Sequence, residues 1–189
     1  MLTRVTIPEE LTGYKQRLQA ERPPGRTCVT ICTGTGCRAN CGLDVAQAFR
    51  EALETEGIRN DVDVKMTGCL GFCEEGPIVY IRPQGLFYTK VKPKDAAEIT
   101  AKTLVAGEDV PRLFVKDPET GERLRTKEDI PFFKHQSPEI FGANFEIDPQ
   151  SITDYIHQGG YSALSKVLTE MTPEGVIEQI TRSGLRGRG

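Results

Sequence analysis

The chain has no tryptophan and only two histidines, His135 and His157. The missing tryptophan excludes little. The histidines have no ligand-like partners in sequence, so both read as structural and no histidine-centred metal or catalytic site is expected. No Ser/His/Asp or paired-carboxylate pattern rises above chance. No apolar run is long enough to cross a membrane as a helix. Met1 to Glu10 lack the apolar core of a secretion signal. Charge of one sign is missing too: 24 Lys+Arg against 27 Asp+Glu leave a net −3. That argues against a nucleic-acid binder acting through global charge. There is no internal repeat and no low-complexity segment. The 189 residues, 38% of them hydrophobic, are enough for one large or two small domains with a core.

Cysteine is the residue that is present in pattern. Six cysteines without a secretion signal imply a reducing, cytoplasmic setting, where thiols bind metal or react more often than they form disulfides. Cys32 and Cys37 lie in Ile31-Cys-Thr-Gly-Thr-Gly-Cys37, and Cys69 and Cys73 in Gly68-Cys-Leu-Gly-Phe-Cys73. Structural zinc sites favour tighter Cys-x-x-Cys knuckles. A pair spaced by four residues is one way to hold an edge of a 2Fe-2S cluster. Both loops carry glycines (Gly34, Gly36, Gly68 and Gly71), which let backbone N–H groups approach sulfur without a Cβ in the way. These four cysteines are therefore the candidate ligands of one 2Fe-2S cluster. Cys28, within an apolar run, reads as a small buried hydrophobe. Cys41 comes within one position of the plant-type ferredoxin spacing but misses it, and reads as a non-ligand.

The segment order explains how distant pairs could meet. Pro8 and the stripe Leu11, Tyr14, Lys15, Leu18 predict a helix in residues 1–26, a solvent-exposed lead-in ended by Pro23-Pro24-Gly25. Thr27 to Ile31 predicts a strand, Leu43 to Glu56 a helix stopped by Gly57, and Val62, Val64 and Met66 a second strand. A βαβ unit of this kind has parallel strands, so both cysteine loops leave the sheet at one edge. Ile78–Ile81 and Leu86–Val91 predict a hairpin around Pro83-Gln84-Gly85, and Asp95 to Ala106 a helix ended by Gly107. The order βαβ-ββα is that of a thioredoxin-like α/β domain, placed at 27–107. Residues 108–131, charged and with the turn Asp117-Pro118-Glu119-Thr120-Gly121, are expected to be a connector with a short strand near Leu113–Val115. Phe132, Phe133, Phe141 and Phe145, close in sequence, are expected to serve core or interface packing. A small helical segment follows: one helix capped at Asp148-Pro149, one from Tyr161 to Thr169, and one from Thr172-Pro173 to Gly184.

Rival chemistries remain at this level. Gly34-Thr-Gly36-Cys-Arg-Ala39 fits a dinucleotide fingerprint after a strand and before a helix. The acidic residue that fingerprint needs is misplaced, since Asp61 and Asp63 come late and at the start of the second strand. Four thiolates would also suit zinc, giving a zinc-stabilised interaction domain that docks a larger complex without redox chemistry. Thiol–disulfide exchange is disfavoured because Cys-x-x-Cys is missing. The tail, with Arg182, Arg186 and Arg188 among Gly184, Gly187 and Gly189, is either a mobile basic end or the start of a phosphate-cradling loop.

The Gly-Thr-Gly-Cys and Cys-Leu-Gly-x-Cys forms resemble the thioredoxin-like 2Fe-2S ferredoxins, including the small iron–sulfur subunit of complex I. That resemblance implies cluster ligands at Cys32, Cys37, Cys69 and Cys73. Pro131-Phe-Phe-Lys-His-Gln136, Gly159-Gly-Tyr-Ser-Ala-Leu164, Met171-Thr-Pro-Glu174 and Ser183-Gly-Leu-Arg-Gly-Arg-Gly189 resemble the start of the complex I NADH-binding flavoprotein subunit. Ferredoxin followed by flavoprotein is similar to the beta subunit of soluble NAD-linked hydrogenases and formate dehydrogenases. The resemblance implies an electron-transfer module whose partners are iron–sulfur subunits of such complexes, with no nucleic acid and no direct membrane insertion. It assigns residues 132–189 to the incomplete start of a flavoprotein domain. FMN, NAD and a 4Fe-4S cluster would belong to the part beyond Gly189, so this stretch alone is not expected to be catalytic.

Overall fold

The β-branched run Val29, Thr30, Ile31 forms the central strand β1 (Cys28–Cys32), every residue of which is buried. Continuous burial means that both faces of the sheet are covered. In the computed structural model, which describes residues 4–22, 25–139 and 141–187, the main sheet has the order β2-β1-β3-β4. β2 (Asp63–Thr67) runs parallel to β1, with Cys28 opposite Asp63 and Cys32 opposite Thr67. β3 (Val79–Arg82) is antiparallel to β1, and β4 (Leu86–Tyr88) is antiparallel to β3. The α/β thioredoxin-like arrangement expected from the segment order is the observed one. The Pro23-Pro24 part of the expected linker and Arg188 and Gly189 of the tail lie outside the described residues.

Strand periodicity divides the side chains between two cores. Val29, Ile31, Val79, Ile81, Leu86 and Tyr88 point to one face. There they pack on α3 (Gly42–Thr55), through Phe49 and Leu53, and on α4 (Asp95–Ile99), through Ala96 and Ile99. α4 continues as a π-helical stretch, Thr100–Val105, before Gly107 turns the chain at φ +72°. Cys32, Ile78, Tyr80 and Phe87 point to the opposite face, where Ile130 and Phe145 bury them with help from Phe133. That second layer comes from beyond the βαβ-ββα unit.

Residues 108–131, expected to be a connector, pack against the domain. Val110, Leu113 and Phe114 are buried, and Phe114 stacks on Tyr88 with ring centroids 5.0 Å apart. Bridges Tyr88–Phe114 and Leu86–Thr126 extend the exposed side of β4. A hairpin of β5 (Val115–Lys116) and β6 (Arg123–Leu124) follows around the predicted turn at Asp117. The predicted strand near Leu113 thus begins two residues later, after a 3-10 turn at Pro111–Leu113.

α1 (Pro8–Glu21), expected as an exposed lead-in, instead packs along α6 (Ile152–His157) and buries Leu18. Arg22 beyond α1 and Lys65 on β2 both pair with the buried Asp154 of α6, Lys65 at 2.8 Å. α6 is capped by Ser151, whose hydroxyl accepts from Asp154 N–H at 3.2 Å, rather than by Asp148. Asp148 caps its own turn, accepting from Gln150 N–H. α2 (Thr35–Ala39) and α5 (Pro131–Lys134) are short. α7 (Ser162–Glu170) and α8 (Pro173–Ser183) close the described chain, with Thr172 capping α8 and Gly184 ending it at φ +66°. Among the described residues, no helix is long and apolar enough to cross a membrane.

Candidate metal centre

Parallel pairing of β1 and β2 does what the sequence pattern requires. β1 ends at Cys32 opposite Thr67, the last residue of β2. Thr33 ties the two strand ends together, since both its N–H and its hydroxyl donate to Thr67 O, at 2.9 and 2.8 Å. Both cysteine loops therefore leave from one point of the sheet edge. Cys37 was expected in a loop and sits instead on α2. Cys73 starts a 3-10 turn, Cys73–Glu75.

The two loops are in backbone contact. A Cβ on Gly34 would fall 2.9 Å from both Cα and Cβ of Cys69, and one on Gly76 would fall 2.6 Å from Cys37 Sγ. Glycine at both places lets the four cysteines converge. Cys69 Sγ and Cys73 Sγ are 3.5 Å apart, and Gly71 N–H donates to Cys69 Sγ at 3.3 Å. Cys32 and Cys37 are buried, while Cys69 and Cys73 are exposed. Donation from the Cys37 thiol pulls Cys32 down to about 6, against the opposing effect of burial, with added help from the Gly34 and Leu70 N–H groups. Cys37 is pushed far up by that same bond, by burial, and by the charges of Cys32 and Cys73. Cys73 is pushed up chiefly by its bond with Cys69, with Cys32 also contributing.

Charge is therefore felt across the two loops, by Cys37 from Cys73 and by Cys73 from Cys32. The four thiols meet in two pairs, and no group of three or more His, Cys, Asp or Glu side chains among the described residues is arranged to hold a single ion. A crowded thiolate set whose negative charges oppose one another fits a cationic two-metal centre, because coordination removes the thiol protons outright. The donor chemistry and the glycine cradle both fit a 2Fe-2S group.

The other candidates lie elsewhere. Cys28 is buried in β1 and Cys41 is exposed, at the start of α3 with φ +67°. His135 is exposed and His157 sits at the end of α6. The Gly34–Ala39 loop is filled by Cys69 and has no space at Gly34 for a pyrophosphate. Sequence reasoning missed Gly76 and also Asn144, whose amide Nδ2 donates to Cys69 O at 3.0 Å. It also missed the stacking of Phe72 on Phe132, with centroids 4.6 Å apart. Nothing in the sequence links residues that far apart.

The Thioredoxin-like 2Fe-2S ferredoxin family matches residues 3–104. The chain belongs to this family. It is similar to a 2Fe-2S ferredoxin of Aquifex aeolicus, at 38% identity over 96 residues, covering 50% of this chain and 81% of that protein. It is also similar to the NADP-reducing hydrogenase subunit HndC of Solidesulfovibrio fructosivorans, at 63% identity over 43 residues. That match covers 23% of this chain and 9% of HndC. A third match, at 42% identity over 52 residues, is to an NADH-quinone oxidoreductase subunit of Buchnera aphidicola, and covers 28% of this chain and 12% of that protein. The chain thus spans a small fraction of the last two proteins.

Proposed function

We propose that Cys32, Cys37, Cys69 and Cys73 ligate one 2Fe-2S cluster through which this ferredoxin domain passes single electrons. The carrying observation is the contact of Gly34 with Cys69, which brings the two cysteine loops together at the edge shared by β1 and β2. When bound, the cluster supplies a one-electron couple. Cys32 and Cys37 anchor its buried side. Cys69 and Cys73 hold the side that faces solvent, which is where an electron partner can approach. Backbone N–H groups such as that of Gly71 stabilise charge on sulfur and so raise the readiness to accept an electron.

The similarity to HndC and to the Buchnera oxidoreductase protein supports a further reading. Residues 132–189 begin a flavoprotein unit, and the ferredoxin domain relays electrons between it and the iron–sulfur subunits of a cytoplasmic hydrogenase, formate dehydrogenase or NADH dehydrogenase assembly. No residue here is assigned to FMN, NAD or a 4Fe-4S cluster. The zinc-docking alternative is not favoured, because the family is that of 2Fe-2S ferredoxins. Anaerobic purification followed by a visible spectrum and an iron and sulfide assay tests the reading. Two irons and two sulfides per chain are expected. A colourless protein carrying zinc would overturn it.

A further inference from the structure

Asn144 lies 75 residues beyond Cys69, outside the family-matched stretch 3–104, yet its side chain touches the cysteine loop. Its amide Nδ2 donates to Cys69 O at 3.0 Å. That carbonyl and the Leu70 N–H belong to one planar peptide unit. Two residues on, Gly71 N–H donates to Cys69 Sγ at 3.3 Å, and on the other side Gly68 O lies 3.5 Å from Cys32 Sγ. The peptide that accepts from Asn144 is therefore the middle of a short turn that faces both sulfurs. Asn144 is itself held in place, because Thr67 Oγ1 donates to its backbone carbonyl. Its amide also lies close to Gly68, 3.6 Å from where a Cβ would be.

We infer that Asn144 is a positioning residue for the cluster, fixing the Cys69–Leu70 peptide so that one hydrogen bond from outside the ferredoxin unit holds the Gly68–Gly71 turn against the Cys32 and Cys69 sulfurs. This rests on the cluster reading above. It makes the segment after the ferredoxin domain a control on the redox centre as well as a structural cover. The cluster gains negative charge on reduction, so a turn that keeps the Gly71 N–H on the Cys69 sulfur favours the reduced form.

The test is a redox titration, followed by visible absorption, of the full chain and of Asn144→Ala. The expected result is unchanged iron and sulfide with a shift to lower potential, of up to about tenfold in the electron-transfer equilibrium, equivalent to about 59 mV for one electron. Phe133→Leu loosens the same segment by packing alone. It should lower the melting temperature and leave the potential in place. Equal shifts in both variants, or no shift in Asn144→Ala, would overturn the inference. A second readout needs no cluster: in apoprotein, Leu70 amide exchange should quicken by roughly fivefold on loss of the Asn144 bond. Should Asn144→Ala not fold, Asn144→Asp keeps the shape, removes the donor and is read by the same exchange. Unchanged exchange would again sink the inference, whereas wild-type protein without iron and sulfide would sink only the cluster assignment.

Discussion

Gly34 and Cys69 stand so close that a side-chain carbon on Gly34 would lie 2.9 Å from both Cα and Cβ of Cys69. One of these groups is backbone, so neither loop can yield by rotating a flexible side chain. Gly34→Ala is expected to push the loops apart and to cost about 1–3 kcal/mol of overpacking strain. Iron and sulfide incorporation should fall sharply while far-UV circular dichroism remains. Full cluster content in Gly34→Ala would show that the loops do not need this contact.

The four converging cysteines should differ from the other two in every assay of the cluster. Cys69→Ala and Cys32→Ala are each expected to abolish the visible absorption. Cys41→Ser, on the exposed start of α3, should leave it intact. Cys28→Ala should also leave it intact, with a loss of about 1 kcal/mol for the buried atom removed. Bleaching by Cys41→Ser would move the ligand set.

Removing the metal should leave the fold standing. The helix-side core of Val29, Ile31, Phe49, Ile81, Tyr88 and Ile99 contains none of the four cysteines. Chelation under reducing conditions is expected to lower the melting temperature and to keep the far-UV spectrum. Loss of helical signal on chelation would show the cluster to be a folding requirement.

Asp154 makes the stability of the α1–α6 contact depend on pH. Burial alone would raise its pKa, but hydrogen bonds from Lys65, Arg22 and the Asp148 N–H overcome this and hold it below the ordinary carboxylate range. A depressed carboxyl contributes stability that is present above its unfolded pKa of roughly 3.9 and is lost as pH falls through the folded value. His157 adds a second phase in the same direction. Burial, then Lys65 and Arg22, lowers its pKa, so its contribution is complete above about 6.5 and declines as pH drops below that. Unfolding midpoints measured from pH 8 to 3 should therefore fall towards acid. Asp154→Asn should remove the lower phase and cost about 1–3 kcal/mol, since the Arg22 and Lys65 left without a partner still reach solvent. A flat profile would contradict the ion-pair geometry.

Tyr88 ties the 108–131 stretch to the sheet. Its hydroxyl lies 2.9 Å from Thr103 Oγ1 and accepts from Val110 N–H at 3.2 Å. Tyr88→Phe leaves that buried N–H unpaired and should cost about 1–3 kcal/mol. Faster proteolysis between residues 108 and 126 is the expected signature. An unchanged cleavage rate would detach this stretch from the domain.

The strands and helices up to Gly107 were legible because period-2 and period-3.6 patterns and glycine stops are local. α2 was not, since five residues around Cys37 carry no periodicity. The cap at Ser151 was hidden by the stronger-looking Asp148-Pro149 pair. The packing of α1 escaped detection because its partner Asp154 lies 132 residues from Arg22.

By itself, the sequence determined the cysteine spacing, the glycines beside them and the βαβ-ββα order. These are short-range properties, and parallel strand pairing turns them into a shared sheet edge. Only the tertiary structure decided what covers the second face of the sheet and which groups reach the cysteine loops. Ile130, Phe133 and Phe145 fill that face because Cys32, Ile78, Tyr80 and Phe87 present apolar surface there that cannot stay wet. Asn144 meets Cys69 for the same reason: burying that face carries its amide across the sheet to a carbonyl that no local pattern could pair with it.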